Sequence, residues 1–265
     1  MNGAQALIRT LVDSGVDVCF MNPGTSEMHF VAALDDVPEM RGVLALFEGV
    51  ATGAADGYAR MADRPAAVLL HLGPGLGNGL ANLHNARKGH TPVVNIVGDH
   101  ATYHKKYDAQ LESDIETVAR NVSSWIRTSD DVATVAGDAA EAVAVAAGPP
   151  AQVATLILPA DVCWTDGAEV AAPAAAGEPT SVEDATVERL ATILRGDEPA
   201  AIFVGGRACR PTPSSTPAAS PTRPAPSSSP RRSRPASNGV QGGSPSNASP
   251  TSPSSPRCNS TASHT

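Results

Sequence analysis

The sequence is short of aromatic residues and cysteines, and it has no long apolar run. Phe, Trp and Tyr together make up 3% of 265 residues, so a core has to be built from small and branched aliphatic side chains. The four cysteines (Cys19, Cys163, Cys209 and Cys258) are scattered without a CxxC pair. Neither a disulfide framework nor a zinc site is therefore expected. No apolar stretch approaches the roughly 18–20 residues that span a bilayer. The Met-Asn-Gly-Ala-Gln start has no basic region before an apolar core, so no signal peptide is expected. Residues 1–210 carry 14 basic and 27 acidic side chains, a formal −13, which speaks against nucleic acid as a partner. A soluble, cytoplasmic chain is the expectation.

The sharpest absence is local. Residues 211–265 contain no Asp, Glu or Lys, and Val240 is their only branched aliphatic residue; they hold 12 Pro, 16 Ser and five Arg. Such a segment cannot bury enough apolar surface to offset its chain entropy, and a disordered tail is expected there. The globular unit is then about 210 residues long, the size of one large domain or two small ones.

What is present alternates between two periods. Ala4, Leu7, Ile8, Leu11 and Val12 recur at helical spacing, and Gly15 stops that helix. Short apolar runs at 17–21, 43–47, 66–72, 92–97 and 153–158 read as strands, with another around Trp125. Helices are expected over 28–34, 48–61, 78–88, 114–120 and 132–147. Near-continuous apolar strands separated by helices imply a doubly wound α/β fold, its mostly parallel sheet covered by helices on both faces. Residues 1–166 form this domain, and 167–180 read as a linker. A helix over 182–194 and a strand over 200–204 open a further unit within 181–210 that does not close.

In such folds ligands sit at the carboxyl ends of the strands, which selects three places. Asn22-Pro23-Gly24 is a turn. Gly73-Pro74-Gly75-Leu76-Gly77-Asn78-Gly79 reads as a glycine loop before a helix. It fits neither the dinucleotide fingerprint nor the P-loop, because its glycine offsets are wrong and no GK[ST] follows. What remains is a turn that lets backbone approach a ligand closely. Glu48 follows the apolar run 43–47, and two readings of it stand: an acid at a helix N-terminus, or a carboxyl with a raised pKa suited to proton exchange. The helix after it is nearly free of side chains, at about 1 kcal/mol per interior glycine, which implies close packing against another element or subunit. His71, ending the third run, is either a core histidine or a group facing the crevice. His100 and His104 read as loop residues. Asp108, Glu112, Asp114 and Glu116 read as an exposed acidic stretch, and Trp125 and Trp164 as packing residues.

Taken in order, these motifs resemble one family: the thiamine-diphosphate-dependent enzymes of the acetolactate synthase and benzoylformate decarboxylase group. The resemblance rests on Asn22-Pro23-Gly24 with Glu27, on FEGVATGAADGYAR over 47–60 and on HLGPGLGN over 71–78. It continues through TPVVNIVGD over 91–99 and YDAQLESDIETVAR over 107–120. It implies that the chain starts with the domain that binds the cofactor's aminopyrimidine ring, with Glu48 hydrogen-bonded to a ring nitrogen. Pro23, Gly24, Gly73, Gly75 and Asn78 would line the cofactor crevice, and His71 would stand where the benzoylformate decarboxylase branch has an active-site histidine. The GPG sequence with Asn78 is closer to acetolactate synthases. A 2-oxo acid substrate and a homodimer are implied as well. So is Mg²⁺, held in the family by a Gly-Asp-Gly segment that does not occur in this sequence.

Residues 182–210 resemble only the first helix and strand of the family's central domain, and the resemblance stops at Cys209-Arg210. With 16 Arg against three Lys in the chain, a reading-frame shift in a GC-rich gene accounts for 211–265. A native disordered tail is the alternative. On either account the chain is expected to be inactive alone.

Overall fold

A computed structural model describes residues 1–203 and 205. Six parallel strands form one sheet: β1 (Val18–Asn22), β2 (Arg41–Leu44), β3 (Ala66–Leu70), β4 (Val93–Asp99), β5 (Trp125–Thr128) and β6 (Val153–Pro159). Their order is β2-β1-β3-β4-β6-β5. Every adjacent pair is parallel, as the continuous apolar runs require. The helices are α1 (Gly3–Asp13), α2 (Met28–Ala33), α3 (Glu48–Ala62), α4 (Leu72–Lys88), α5 (Ile115–Ala119), α6 (Val135–Ala147), α7 (Ala160–Trp164) and α8 (Asp184–Arg195).

The two faces of the sheet carry separate cores. On one, α1 and α6 cover Cys19, Leu69, Ile96 and Leu156; on the other, α3 and α4 cover Val68, Leu70, Val97 and Ile157. β3, β4 and β6 are buried along their whole length. α1 starts on a capping box, in which the Asn2 side chain accepts from Gln5 N–H and the Gln5 side chain accepts from Asn2 N–H. This satisfies two of the N–H groups that a helix start leaves free.

Several expectations need correction. The glycine run 73–79 is not a loop: α4 begins immediately after His71, and the glycines lie inside it. Leu72 makes the bend with φ of 51°, left-handed backbone that a buried leucine adopts at a cost. The second strand stops at Leu44 rather than 47 and is an exposed edge, with Leu44, Leu46 and Phe47 open to solvent. Apolarity alone cannot distinguish a central strand from an edge. Residues 201–203 form no strand; Val204, which completes that run, lies outside the described residues, as does the 211–265 tail. α7 was not anticipated, and Trp164 within it is 40% exposed beside His29. Glu112 is not a surface acid: it lies largely buried against Lys105, which also pairs with the fully buried Asp99. His100 lies in a loop as expected but is only partly exposed, with its Nε2 buried.

The start of the expected linker is docked. Ala168 is buried, and Ala171 N–H donates to Thr10 Oγ1 on α1 at 3.1 Å. α8 buries none of its residues, and Val187, Leu190, Ile193 and Leu194 stand exposed on it.

Candidate functional site

Three chain segments converge at the carboxyl ends of β1, β2 and β3. The first leaves β1 through Asn22-Pro23-Gly24 into a 3-10 turn, Thr25–Glu27. The second runs from β2 into Glu48, the first residue of α3. The third passes from β3 through His71 into α4. Asn22 ties the first two together, its Nδ2 donating to the Ala45 carbonyl at 2.8 Å.

Glu48 is nine-tenths buried. Asn78, nearly two turns into α4, donates from Nδ2 to Glu48 Oε2 at 3.0 Å. Gly75 leaves the other oxygen its space, since a Cβ there would come within 3.3 Å of Glu48 Oε1 and 3.4 Å of His71 Cβ. Two further contacts lock α3 to α4 behind the carboxylate. Thr52 Oγ1 is 3.1 Å from the Glu48 carbonyl and 3.2 Å from the Gly79 carbonyl, and Asn82 Nδ2 donates to the Gly49 carbonyl at 2.6 Å. The glycines and alanines therefore bring two helices close enough for one to orient an acid on the other, which explains the small-residue pattern.

His71 is 22% exposed on its side chain. Its ring lies against Gly24, where an added Cβ would fall 2.3 Å from Nδ1. Only glycine fits beneath that ring. Gly73 serves a different contact: a Cβ there would fall 1.8 Å from Ser113 Oγ, so this glycine admits the 113–114 loop rather than facing Glu48. Gly24, Gly75, Asn78, Glu48 and His71 thus form one contiguous cluster at the strand ends, with Pro23 in the turn beside it, while Gly73 meets Ser113 instead.

The sequence reading left Glu27 out of the site. Its side chain is fully enclosed at 2% residue exposure. Oε2 accepts from Gly24 N–H at 2.7 Å and lies 2.8 Å from His71 Nδ1. Oε1 has no hydrogen-bond partner among the described residues. Burial pushes the Glu27 carboxyl above its usual range, against the opposing pull of the Gly24 N–H and His71. The available signal was its place beside Asn22-Pro23-Gly24 among the residues that carry the family resemblance, where no role was assigned to it.

A largely buried carboxyl held by one amide donor, with space left by glycine, can exchange a hydrogen bond with a ring nitrogen. Residues 1–122 match the family of thiamine pyrophosphate enzymes, N-terminal TPP binding domain. Residues 1–122 belong to this domain family. The chain is 68% identical over 212 residues to a candidate acetolactate synthase large subunit, IlvX, of Mycobacterium tuberculosis, covering 79% of this chain and 40% of that protein. It is 34% identical over 149 residues to a benzoylformate decarboxylase of Pseudomonas aeruginosa, covering 56% of this chain and 28% of the relative. The thiamine diphosphate-dependent 4-hydroxybenzoylformate decarboxylase of Rhodococcus jostii RHA1 shares the fold, with a TM-score of 0.66 at 23% identity, over 73% of this chain and 37% of that one. The chain therefore spans less than half the length of these relatives. Among the described residues no three His, Cys, Asp or Glu side chains gather as a metal site, and no helix is long and apolar enough to cross a membrane.

Proposed function

We propose that this chain is the aminopyrimidine-binding part of a thiamine-diphosphate-dependent enzyme that decarboxylates a 2-oxo acid and joins the product to a second one, as acetolactate synthases do. The observation that carries this reading is the Glu48 carboxyl, nine-tenths buried and held through Oε2 by Asn78, with Gly75 keeping Oε1 clear. Glu48 hydrogen-bonds a ring nitrogen of the cofactor and moves a proton there; Asn78 orients it. Pro23, Gly24 and Gly75 line the ring's berth. Gly73 supports the reading least, because Ser113 fills the space beside it. When bound, thiamine diphosphate supplies a carbon nucleophile and an electron sink for cleavage of the bond beside the keto group. His71 faces the substrate side and carries a proton to or from its oxygens.

The Gly-Asp-Gly segment that the resemblance implies for the diphosphate and Mg²⁺ does not occur in this sequence, and on this reading the chain is inactive alone. The intact enzyme works as a homodimer, which would cover the exposed Leu44, Leu46 and Phe47. The domain division follows: 1–166 binds the pyrimidine, 167–180 links, and 181–210 begins a central domain.

Calorimetric titration of the chain with thiamine diphosphate tests the assignment. Glu48→Gln should weaken binding about tenfold or more, the worth of one charge-assisted hydrogen bond, with an unchanged fold by circular dichroism. Equal affinity in both proteins overturns the role of Glu48. Incubation with pyruvate, thiamine diphosphate and Mg²⁺ should release no CO₂, and turnover would refute inactivity.

His71 favours a second reading, a decarboxylase acting on benzoylformate. Restoring a full-length enzyme and comparing pyruvate with benzoylformate separates the two.

A further inference from the structure

Glu27 is absent from the reading above, yet it is the most buried acid in the crevice. Its two oxygens are used unequally. Oε2 already accepts the Gly24 N–H at 2.7 Å, and His71 Nδ1 sits 2.8 Å from the same atom. Oε1 is buried without a partner among the described residues, in the space that Gly98 leaves open, since a Cβ there would fall 1.7 Å from it. An oxygen that already accepts one N–H is suited to accept a second. If the carboxyl takes up a proton, unpartnered Oε1 holds it and Oε2 still accepts. Nδ1 is therefore the donor. Nε2 has no protein partner among the described residues, and it is not among the buried polar atoms left without one.

We infer that Glu27 is a positioning residue that fixes neutral His71 as its Nδ1–H tautomer, leaving the Nε2 lone pair free to accept a proton from a hydroxyl group of the bound ligand, such as that of the hydroxy-oxo acid formed when two 2-oxo acids are joined. The transfer balances simply. A ligand O–H bond breaks, Nε2–H forms, and the imidazolium is stabilised by the Glu27 carboxylate on its far side; the reverse step returns the proton. Without Glu27 the ring is free to take its Nε2–H form, which can donate but not accept at the crevice. This role rests on the proposed function for the identity of the ligand, but the tautomer itself does not.

Long-range ¹H–¹⁵N correlation spectra of the uniformly labelled chain, above the pH at which His71 is neutral, read the tautomer directly; a His71→Asn sample assigns the signal. The Nδ1–H form should dominate in the native chain by about tenfold, the worth of a hydrogen bond to a charged group. Glu27→Gln should reduce that ratio and Glu27→Ala should reverse it, with amide spectra that otherwise overlay. A native chain in the Nε2–H form overturns the inference even if no variant folds. An Nδ1–H form unchanged by both variants overturns it too. Thiamine diphosphate titration on the same samples keeps the two ideas apart: failure to bind refutes the proposed function and leaves the tautomer result standing.

Discussion

The interior of the sheet and its β2 edge are built from similar apolar runs, and they end in different states. β3, β4 and β6 are buried on both faces, with Ile96, Leu69 and Leu156 fully enclosed. At the edge, Leu44 is 68% and Leu46 92% exposed. The crevice lies along this boundary. Glu27 is rooted on the closed side, packed against Gly98 of β4, while Glu48 stands on the open side at the end of the exposed segment. The difference teaches that half of the site is complete within the described residues. The other half carries an apolar surface that the fold itself does not cover.

The comparison can be broken most severely from the closed side. Leu156→Ala should cost about 2–5 kcal/mol, through lost transfer energy and the cavity left between α6 and the sheet; denaturant unfolding measures it. Gly98→Ala follows, at about 1–3 kcal/mol, because its methyl group would overlap Glu27 Oε1. Displacement of that carboxyl should also release His71, visible as a changed His71 signal in the same protein.

The next test uses pH. The folded pKa of Glu27 is raised by burial, so between the ordinary glutamate range and that raised value the folded state binds a proton that the unfolded chain has lost. Stability from this group is then fully present below the unfolded pKa and lost as pH rises through the folded one. Glu27→Gln should flatten this decline in thermal midpoints taken from about pH 4 to 8. An identical slope in both proteins would mean that the carboxyl is not raised.

The smallest effect belongs to the open side. Leu46→Ser should change unfolding free energy by no more than about 0.5 kcal/mol, as for other exposed positions. Leu190→Ser on α8 should behave alike. A loss above 2 kcal/mol at either residue would show that these surfaces are covered in solution, which sedimentation of the native chain would then confirm.

Much of this was legible beforehand. The alternation of apolar runs with 3.6-residue periods fixed a parallel α/β sheet, and the strand-end rule selected the three segments that converge. What failed had local causes. The glycine run was read as a loop because glycine is a poor helix former. Its helix is held by what the missing side chains let in: Ser113 against Gly73, and Thr52 against Gly79. The run 43–47 was read as a covered strand because it is as apolar as β3, and no period reports which strand is last in the order.

The sequence by itself determined the class of fold, the ends of the strands where chemistry gathers, and Glu48 and His71 as residues to watch. Tertiary structure alone decided their partners. Asn78 meets Glu48 across 30 residues and Glu27 meets His71 across 44. Periodicity reports only which face of an element is apolar. A hydrogen bond between side chains on different segments depends on strand order and on how closely two backbones can approach. Here the glycines at 24, 75 and 98 set that approach, and only the folded chain shows what each of them admits.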